Sequence, residues 1–192
     1  MAVTLNQPSR PVLVDAMTWR EFKAVEQLLE RPGMRLSFLD GVLEIRQMPG
    51  EQHETIKERI GALLELYLLH LGIDYTPTGS MTLASEAGQV KREADKSYKL
   101  GANRPQPDLV IEVVVTSGGI DKLEAYRRLG ITEVWFWEAG QLDVYVLNTV
   151  EPFRYDRTAS SHLFPQLDLN QLLTCIDMPK HVEAIRTFQQ SL

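Results

Sequence analysis

The sequence has little cysteine and no segment suited to a membrane or to secretion. Cys175 is the single cysteine among 192 residues, which excludes an internal disulfide and a cysteine-based zinc cage. Neither a secretory signal nor an apolar run of transmembrane length is present. We therefore expect a soluble cytoplasmic protein with no membrane partner.

The motifs of several common enzyme classes are also missing. No Gly-rich phosphate loop, no His-Glu-x-x-His and no Gly-x-Ser-x-Gly occurs, so a nucleotide hydrolase, a zinc protease and a common esterase lack support. Positive charge is in deficit, with 20 Lys and Arg against 26 Asp and Glu and a net charge of −6. This excess of negative charge is unfavourable for tight, sequence-independent binding of nucleic acid, because such binding requires many Lys and Arg side chains that neutralise phosphates. A metal bound at a carboxylate site would offset part of the negative charge locally.

The sequence does contain enough apolar material for a core. Hydrophobic residues make up 44% and aromatic residues 8% of the chain, which suffices for one domain of this length. We predict a single domain over residues 1–192, with an extended lead-in at 1–17 and packing elements at 150–192. No linker, repeat or low-complexity segment interrupts it.

Local patterns predict an alternation of helices and strands. Thr18 and Glu21 have the spacing of a capping box, and Asp40-Gly41 lies between two alternating runs, as in a β-hairpin. The middle of the chain is predicted to be irregular. The predicted elements are a helix at 18–30, a hairpin at 35–47, a helix at about 51–71, short strands at 73–75, 80–83 and 97–100, a strand at 109–115, a helix at 121–129, a strand pair at 133–137 and 142–147, and a last helix at about 180–190.

Glu112 is the most informative residue for function. It interrupts the β-branched run from Leu109 to Val115, and a carboxylate buried in such a strand is costly unless a cation or a metal faces it. Period-two alternation places Asp108 and Glu112 on the same face of the strand. They are about 13 Å apart along a straight strand, so a second ligand for one metal ion has to come from elsewhere.

The best second carboxylate is Asp95, in the segment Glu93-Ala94-Asp95. It precedes Glu112 by 17 residues, which lets a neighbouring strand return and bring the two acids opposite each other. A small set of hard oxygen ligands is what magnesium uses in phosphoryl transfer. Lys122 begins the helix after the strand and can reach back to orient a water or to stabilise charge on phosphorus.

These segments together resemble a known family. The residues that carry the resemblance are Glu93-Ala94-Asp95, Pro107-Asp108 with Glu112, Asp121-Lys122 with Tyr126, Leu129-Gly130 with Glu133 and Trp135, Asp40-Gly41 with Glu44, His53, and Phe164-Pro165 with Leu167. In this order, from about Phe38 to Leu169, they resemble the bacterial restriction-endonuclease-like family of unknown function, a branch of the PD-(D/E)xK nuclease superfamily. The resemblance implies an α/β (α+β) fold with a central mixed β-sheet flanked by helices.

The resemblance also implies an activity. Asp95 and Glu112 would bind Mg²⁺ or Mn²⁺, and Lys122 would replace the lysine that usually follows the glutamate by two residues, where this chain has Val114. Ala94 stands where the family often has proline. The implied activity is metal-dependent endonucleolytic hydrolysis of phosphodiester bonds, with nucleic acid, DNA first, as partner and a homodimer as an option.

Other interpretations of the same residues remain open. Glu112 can be a structural partner of Lys122 or of an arginine, in a nuclease-like domain that only binds a nucleic acid or a protein.

Asp108 either caps a turn or supports the site from behind the metal ligands, and Glu93 is a further acid near the site. Glu44 can approach the metal from the hairpin. His53 is either a cap or packed residue or a site residue. Trp135 and Trp137 are expected in the core or at a dimer contact.

Overall fold

A computed structural model describes residues 10–29, 33–102, 104–115 and 119–192. The elements within them are β1 (Val12–Val14), α1 (Trp19–Leu29), β2 (Met34–Leu39), β3 (Val42–Gln47), α2 (Glu51–His70), β4 (Tyr75–Pro77), β5 (Thr82–Ser85), β6 (Val90–Glu93), β7 (Lys96–Leu100), β8 (Leu109–Val114), α3 (Lys122–Leu129), β9 (Glu133–Glu138), β10 (Gln141–Asn148), β11 (Arg154–Thr158), α4 (Leu169–Ile176) and α5 (His181–Ser191). No helix in these ranges is long and apolar enough to span a membrane.

The strands form two sheets, which the polypeptide links at Asp95. The first sheet has the order β1-β3-β2-β6-β5, and the second has the order β11-β10-β9-β8-β7-β4. Only β8 and β9 run parallel in the second sheet, while its other neighbours are antiparallel. This sheet is therefore mixed, as predicted. The chain leaves the first sheet at Glu93 and enters the second at Lys96.

Strand β8 has a different environment on each face, as its alternation predicts. Leu109, Ile111 and Val113 join a core cluster that also holds buried residues of α2, α4 and α5. Val110 joins a second cluster, which contains residues of α3 and of the first sheet. Glu112 shares the face of Val110, so its carboxylate points between the second sheet, α3 and the first sheet.

Several local predictions are confirmed. Thr18 and Glu21 exchange hydrogen bonds as a capping box, with Thr18 N donating to Glu21 Oε2 at 2.8 Å and Glu21 N donating to Thr18 Oγ1 at 3.2 Å. The hairpin turns at Asp40-Gly41 with positive φ at both residues, as the pattern requires. Gly130 ends α3 in the left-handed conformation.

Other predictions were wrong or incomplete. The middle of the chain is not irregular, because β5 and β6 pair there as part of the first sheet. Strand β11 was missed, and the lead-in contains a strand, β1, that pairs with β3. The expected core position of Trp135 and Trp137 is, in contrast, confirmed, because both side chains are buried. The predicted end of the first helix at residue 30 and residues 1–9 of the predicted lead-in lie outside the described residues.

Candidate active site

The two predicted metal-binding acids lie side by side. Lys96 pairs with Ile111 and Ser97 with Val110 in the antiparallel ladder of β7 and β8, and one further step in this register places Asp95 opposite Glu112. The backbone N–H of Val113 donates to Asp95 Oδ2 at 3.0 Å. The expectation that the chain returns and brings Asp95 opposite Glu112 therefore matches the structure.

Asp95 is buried and held from three directions. Besides Val113 N, His53 Nε2 donates to Asp95 Oδ2 at 3.0 Å, and Arg35 Nη1 donates to Asp95 Oδ1. Burial by itself raises the pKa of Asp95, but the hydrogen bond and charge of His53 and the charge of Arg35 outweigh it, and the pKa falls well below its usual range. The side chain is therefore a carboxylate at neutral pH.

Glu112 is only 1% exposed, and its carboxylate accepts hydrogen bonds from three side chains. Lys122 Nζ donates to Glu112 Oε2 at 2.7 Å, and the Tyr126 hydroxyl donates to Oε1. Arg92 reaches both oxygens, from Nη2 to Oε2 at 3.0 Å and from Nε to Oε1 at 3.3 Å. Glu112 therefore has two cationic partners, Arg92 and Lys122, as expected for a carboxylate in a buried strand.

The pKa of Glu112 reports the balance of these neighbours. Burial raises this pKa, the charges of Arg92 and Lys122 lower it, and the nearby charge of Asp95 raises it again; the net result is a lowered pKa. The two carboxylates therefore repel each other while both are ionised. A cation placed between them relieves this repulsion.

Lys122 lies against Glu112 at the start of the helix that follows β8. It is the first residue of α3, after the N-cap Asp121, and its ammonium lies 5.8 Å from the ring centre of Phe136 as well as against Glu112. Phe136 is the register partner of Glu112 on β9. The aliphatic stem of Lys122 is flexible, so its ammonium can move while the helix stays in place.

The other candidate acids are distributed unequally around this site. Glu44 is fully buried near Glu112, and Glu93 forms an ion pair of 3.1 Å with Arg35, although Arg35 Nε lacks hydrogen-bond alignment. Asp108 accepts from Leu100 N at 2.8 Å at the opposite end of β8. The structure thus brings Glu44, Glu93 and His53 to the site, whereas the position of Asp108 fits the turn-capping interpretation.

Three basic residues of the site were not named from the sequence. Arg35, on β2, and Arg92, on β6, come from the first sheet, and Arg46 Nε donates to Glu44 Oε1 at 2.8 Å. The sequence predicted only that an arginine can pair with Glu112. Nothing local identifies which arginine, because the contact joins strands of two different sheets.

The carboxylates of Asp95 and Glu112 are the kind of donor that a hard divalent ion prefers. Asp95 and Glu112 supply hard oxygen donors from adjacent positions, and their mutual repulsion favours a cation between them. In the described parts of the chain no group of three or more His, Cys, Asp or Glu side chains could hold a metal ion. Water and substrate oxygens would therefore complete the coordination, as is usual for Mg²⁺.

The mixed sheet with helices packed on it agrees with the restriction-endonuclease-like fold that the sequence predicted. The profile of the Uma2 family, described as "Putative restriction endonuclease", matches residues 19–173. The chain belongs to this family.

A crystal structure from Anabaena variabilis, described as a "putative nuclease", is 14% identical in sequence; the alignment covers 90% of this chain and 99% of that chain, with a TM-score of 0.49. The sequence matches none of the curated proteins.

Proposed function

We propose that this chain is a metal-dependent endonuclease that hydrolyses phosphodiester bonds of nucleic acid, DNA in the first instance, with Asp95 and Glu112 as ligands of Mg²⁺ or Mn²⁺. The observation that carries the proposal is the meeting of Asp95, Glu112 and Lys122 from three separate elements, with Val113 N holding Asp95 against β8. Membership of a family described as a restriction endonuclease supports the reaction class.

A bound divalent ion would polarise the scissile phosphate and lower the pKa of a coordinated water. Asp95 and Glu112 are suited to hold it because both are ionised and fixed by neighbours. Val113 N and His53 fix the orientation of Asp95, and Tyr126 fixes that of Glu112. Preorganisation of this kind avoids reorganisation during the reaction.

Lys122 would act on the substrate side of Glu112. Its side chain is 14% exposed, whereas that of Glu112 is 1% exposed, so the ammonium lies nearer to solvent than the carboxylate. From this position it would orient the attacking water or offset the negative charge that develops on the phosphoryl oxygens.

A second candidate function is a nuclease-like domain without catalysis, which binds a nucleic acid or a protein. One specific observation favours it: Arg92, Lys122 and Tyr126 already satisfy both oxygens of Glu112. The net charge of −6 favours it as well, because repulsion opposes binding of a polyanion. In this case the acids are ion-pair partners, and removal of Asp95 leaves binding intact.

Cleavage assays on plasmid, single-stranded DNA and RNA, with Mg²⁺ or Mn²⁺, separate the two functions. The proposal expects metal-dependent cleavage by the wild type that disappears in Asp95→Ala, Glu112→Ala and Lys122→Ala. Asp108→Asn is the matched control, because this acid lies on the same face of β8 but at its far end, and it should cleave as the wild type does. A folded wild-type protein that neither cleaves nor binds metal would favour the binding module.

A further inference from the structure

Arg92 connects the two sheets through a pair of buried acids. From β6 it donates to Glu112 on β8 through Nη2 and Nε, and to Glu44 Oε1 on β3 through Nη1 at 3.2 Å. A longer contact of 3.4 Å runs from Nη1 to Ser37 Oγ. One guanidinium therefore lies between two carboxylates that belong to different sheets.

Both carboxylates depend on this cation. Glu44 is 0% and Glu112 is 1% exposed, so water screens neither of them, and two like charges at close range in a protein interior repel strongly. Arg92 hydrogen-bonds to both carboxylates, and an arginine side chain stays protonated in proteins. Arg92 therefore keeps its charge and holds the two acids together.

The position of Arg92 is the one that a bridging ion takes between two carboxylates. In two-metal sites, ions about 4 Å apart share acidic ligands. Here a guanidinium occupies the space between Glu112 and Glu44, while Asp95 has no contact with Arg92 among its hydrogen bonds and is held by Val113 N, His53 and Arg35. Arg46 and the backbone N–H of Ile120 donate to the remaining lone pairs of Glu44.

We propose that Arg92 is a resident cation that replaces one of two possible metal ions, so that the site takes a single divalent ion on the Asp95 side of Glu112. The number of ions rests on the proposed nuclease function, whereas the role of Arg92 between Glu44 and Glu112 does not. Arg92 is a positioning residue: it fixes Glu112 and neutralises Glu44 without touching the substrate.

The test counts Mn²⁺ ions bound per full-length chain, from the electron paramagnetic resonance signal of free Mn²⁺. The wild type is expected to bind one ion, and Arg92→Met one more than the wild type, because two buried acids lose their common cation. Arg92→Lys keeps a positive charge and is expected to gain none. In Arg92→Met combined with Glu44→Gln the additional ion is expected to disappear. Equal numbers in wild type and Arg92→Met would overturn the proposal, as would two ions in the wild type.

The same counts separate this inference from the proposed function. If the wild type binds no Mn²⁺ but Arg92→Met binds one, the nuclease proposal fails and the role of Arg92 stands. Because Arg92→Met removes the cation that Glu44 and Glu112 share, while Arg46 still pairs with Glu44 and Lys122 with Glu112, its thermal unfolding is followed with and without Mn²⁺. A Tm that Mn²⁺ raises more than in the wild type supports the proposal, and a Tm with no larger response overturns it.

Discussion

The backbone N–H of Val113 donates to Asp95 Oδ2 at 3.0 Å. This hydrogen bond holds Asp95, which lies in the connection between the two sheets, against β8, the strand that carries Glu112. Asp95 is the point where the chain passes from β6 to β7. The hydrogen bond fixes the carboxylate one residue beyond Glu112 along β8. The relative position of the two acids therefore follows from a backbone contact and not from flexible side chains alone.

Lys122→Met separates a catalytic from a structural role of the lysine. If Lys122 acts on the phosphate, cleavage falls by about 10²–10³-fold, the range for loss of one stabilising group, while Mn²⁺ binding is retained because Asp95 and Glu112 remain. Steady-state cleavage and Mn²⁺ titration measure the two quantities. A variant that is less stable but cleaves at the wild-type rate per folded molecule would show that Lys122 is only a counter-ion of Glu112.

The stability of the protein should depend on pH through Asp95. The pKa of this carboxyl is lower in the folded state than in the unfolded chain, so its contribution is complete above about pH 4, the ordinary value, and is lost as pH falls towards the folded-state pKa. Urea unfolding between about pH 5 and pH 2 should show a smaller loss of stability with acid in Asp95→Asn than in the wild type. Identical slopes would contradict the observed contacts of Asp95.

Glu133 is a buried carboxylate whose contacts lie away from the site. It is 0% exposed and accepts from Trp135 Nε1 and Ser161 Oγ, both at 2.6 Å, and from the backbone N–H groups of residues 162 and 163. In Glu133→Gln the side-chain NH₂ group replaces one of the two accepting oxygens and faces groups that also donate. Some of these buried donors therefore lose their acceptor, and we expect a loss of about 2–4 kcal/mol in the free energy of unfolding. Urea denaturation measures it.

Glu138→Gln is the control for this change, because Glu138 is the exposed last residue of the same strand. Surface substitutions of this kind alter stability by about 0.5 kcal/mol or less. A loss of equal size in both variants would contradict an anchoring role of Glu133.

Gly119 allows the chain after β8 to lie against Glu44. A Cβ at this position would fall 1.8 Å from Glu44 Oε2 and 2.4 Å from Arg46 Nη2, and φ is +106°. Gly119→Ala should therefore cost clearly more stability than Gly130→Ala, where φ is +71° but no atom lies within 4 Å of the added Cβ. The left-handed backbone alone costs about 1–2 kcal/mol. Equal losses in urea denaturation would show that the side chains of Glu44 and Arg46 move aside freely.

Much of the site could be predicted because its acids leave strong local patterns. A charge inside an apolar strand marks Glu112, and its 17-residue separation from Asp95 lets an adjacent strand bring that acid opposite. The helix predicted at 121–129 put Lys122 in its first turn, and the structure has Lys122 as the first residue of α3. Each of these inferences needs only strand alternation, helix ends and chain length.

The basic half of the site could not be predicted in the same way. Strand β6 reads Val-Lys-Arg-Glu, so three of its four residues are charged and no apolar alternation marks it as a strand. Its buried face nevertheless carries Arg92 beside Val90. An arginine is tolerated there only because Glu44 and Glu112 arrive from other strands, and that is tertiary information.

The most direct test of a metal site at Asp95 and Glu112 is the rate of plasmid cleavage in Mg²⁺ by the wild type and by Asp95→Asn, at equal concentrations of folded protein. We expect cleavage by the wild type that a chelator abolishes and added Mg²⁺ restores, with Asp95→Asn slower by at least about 10²-fold. Chelator-resistant cleavage, or equal rates in the two proteins, would contradict a metal-dependent nuclease site at Asp95 and Glu112.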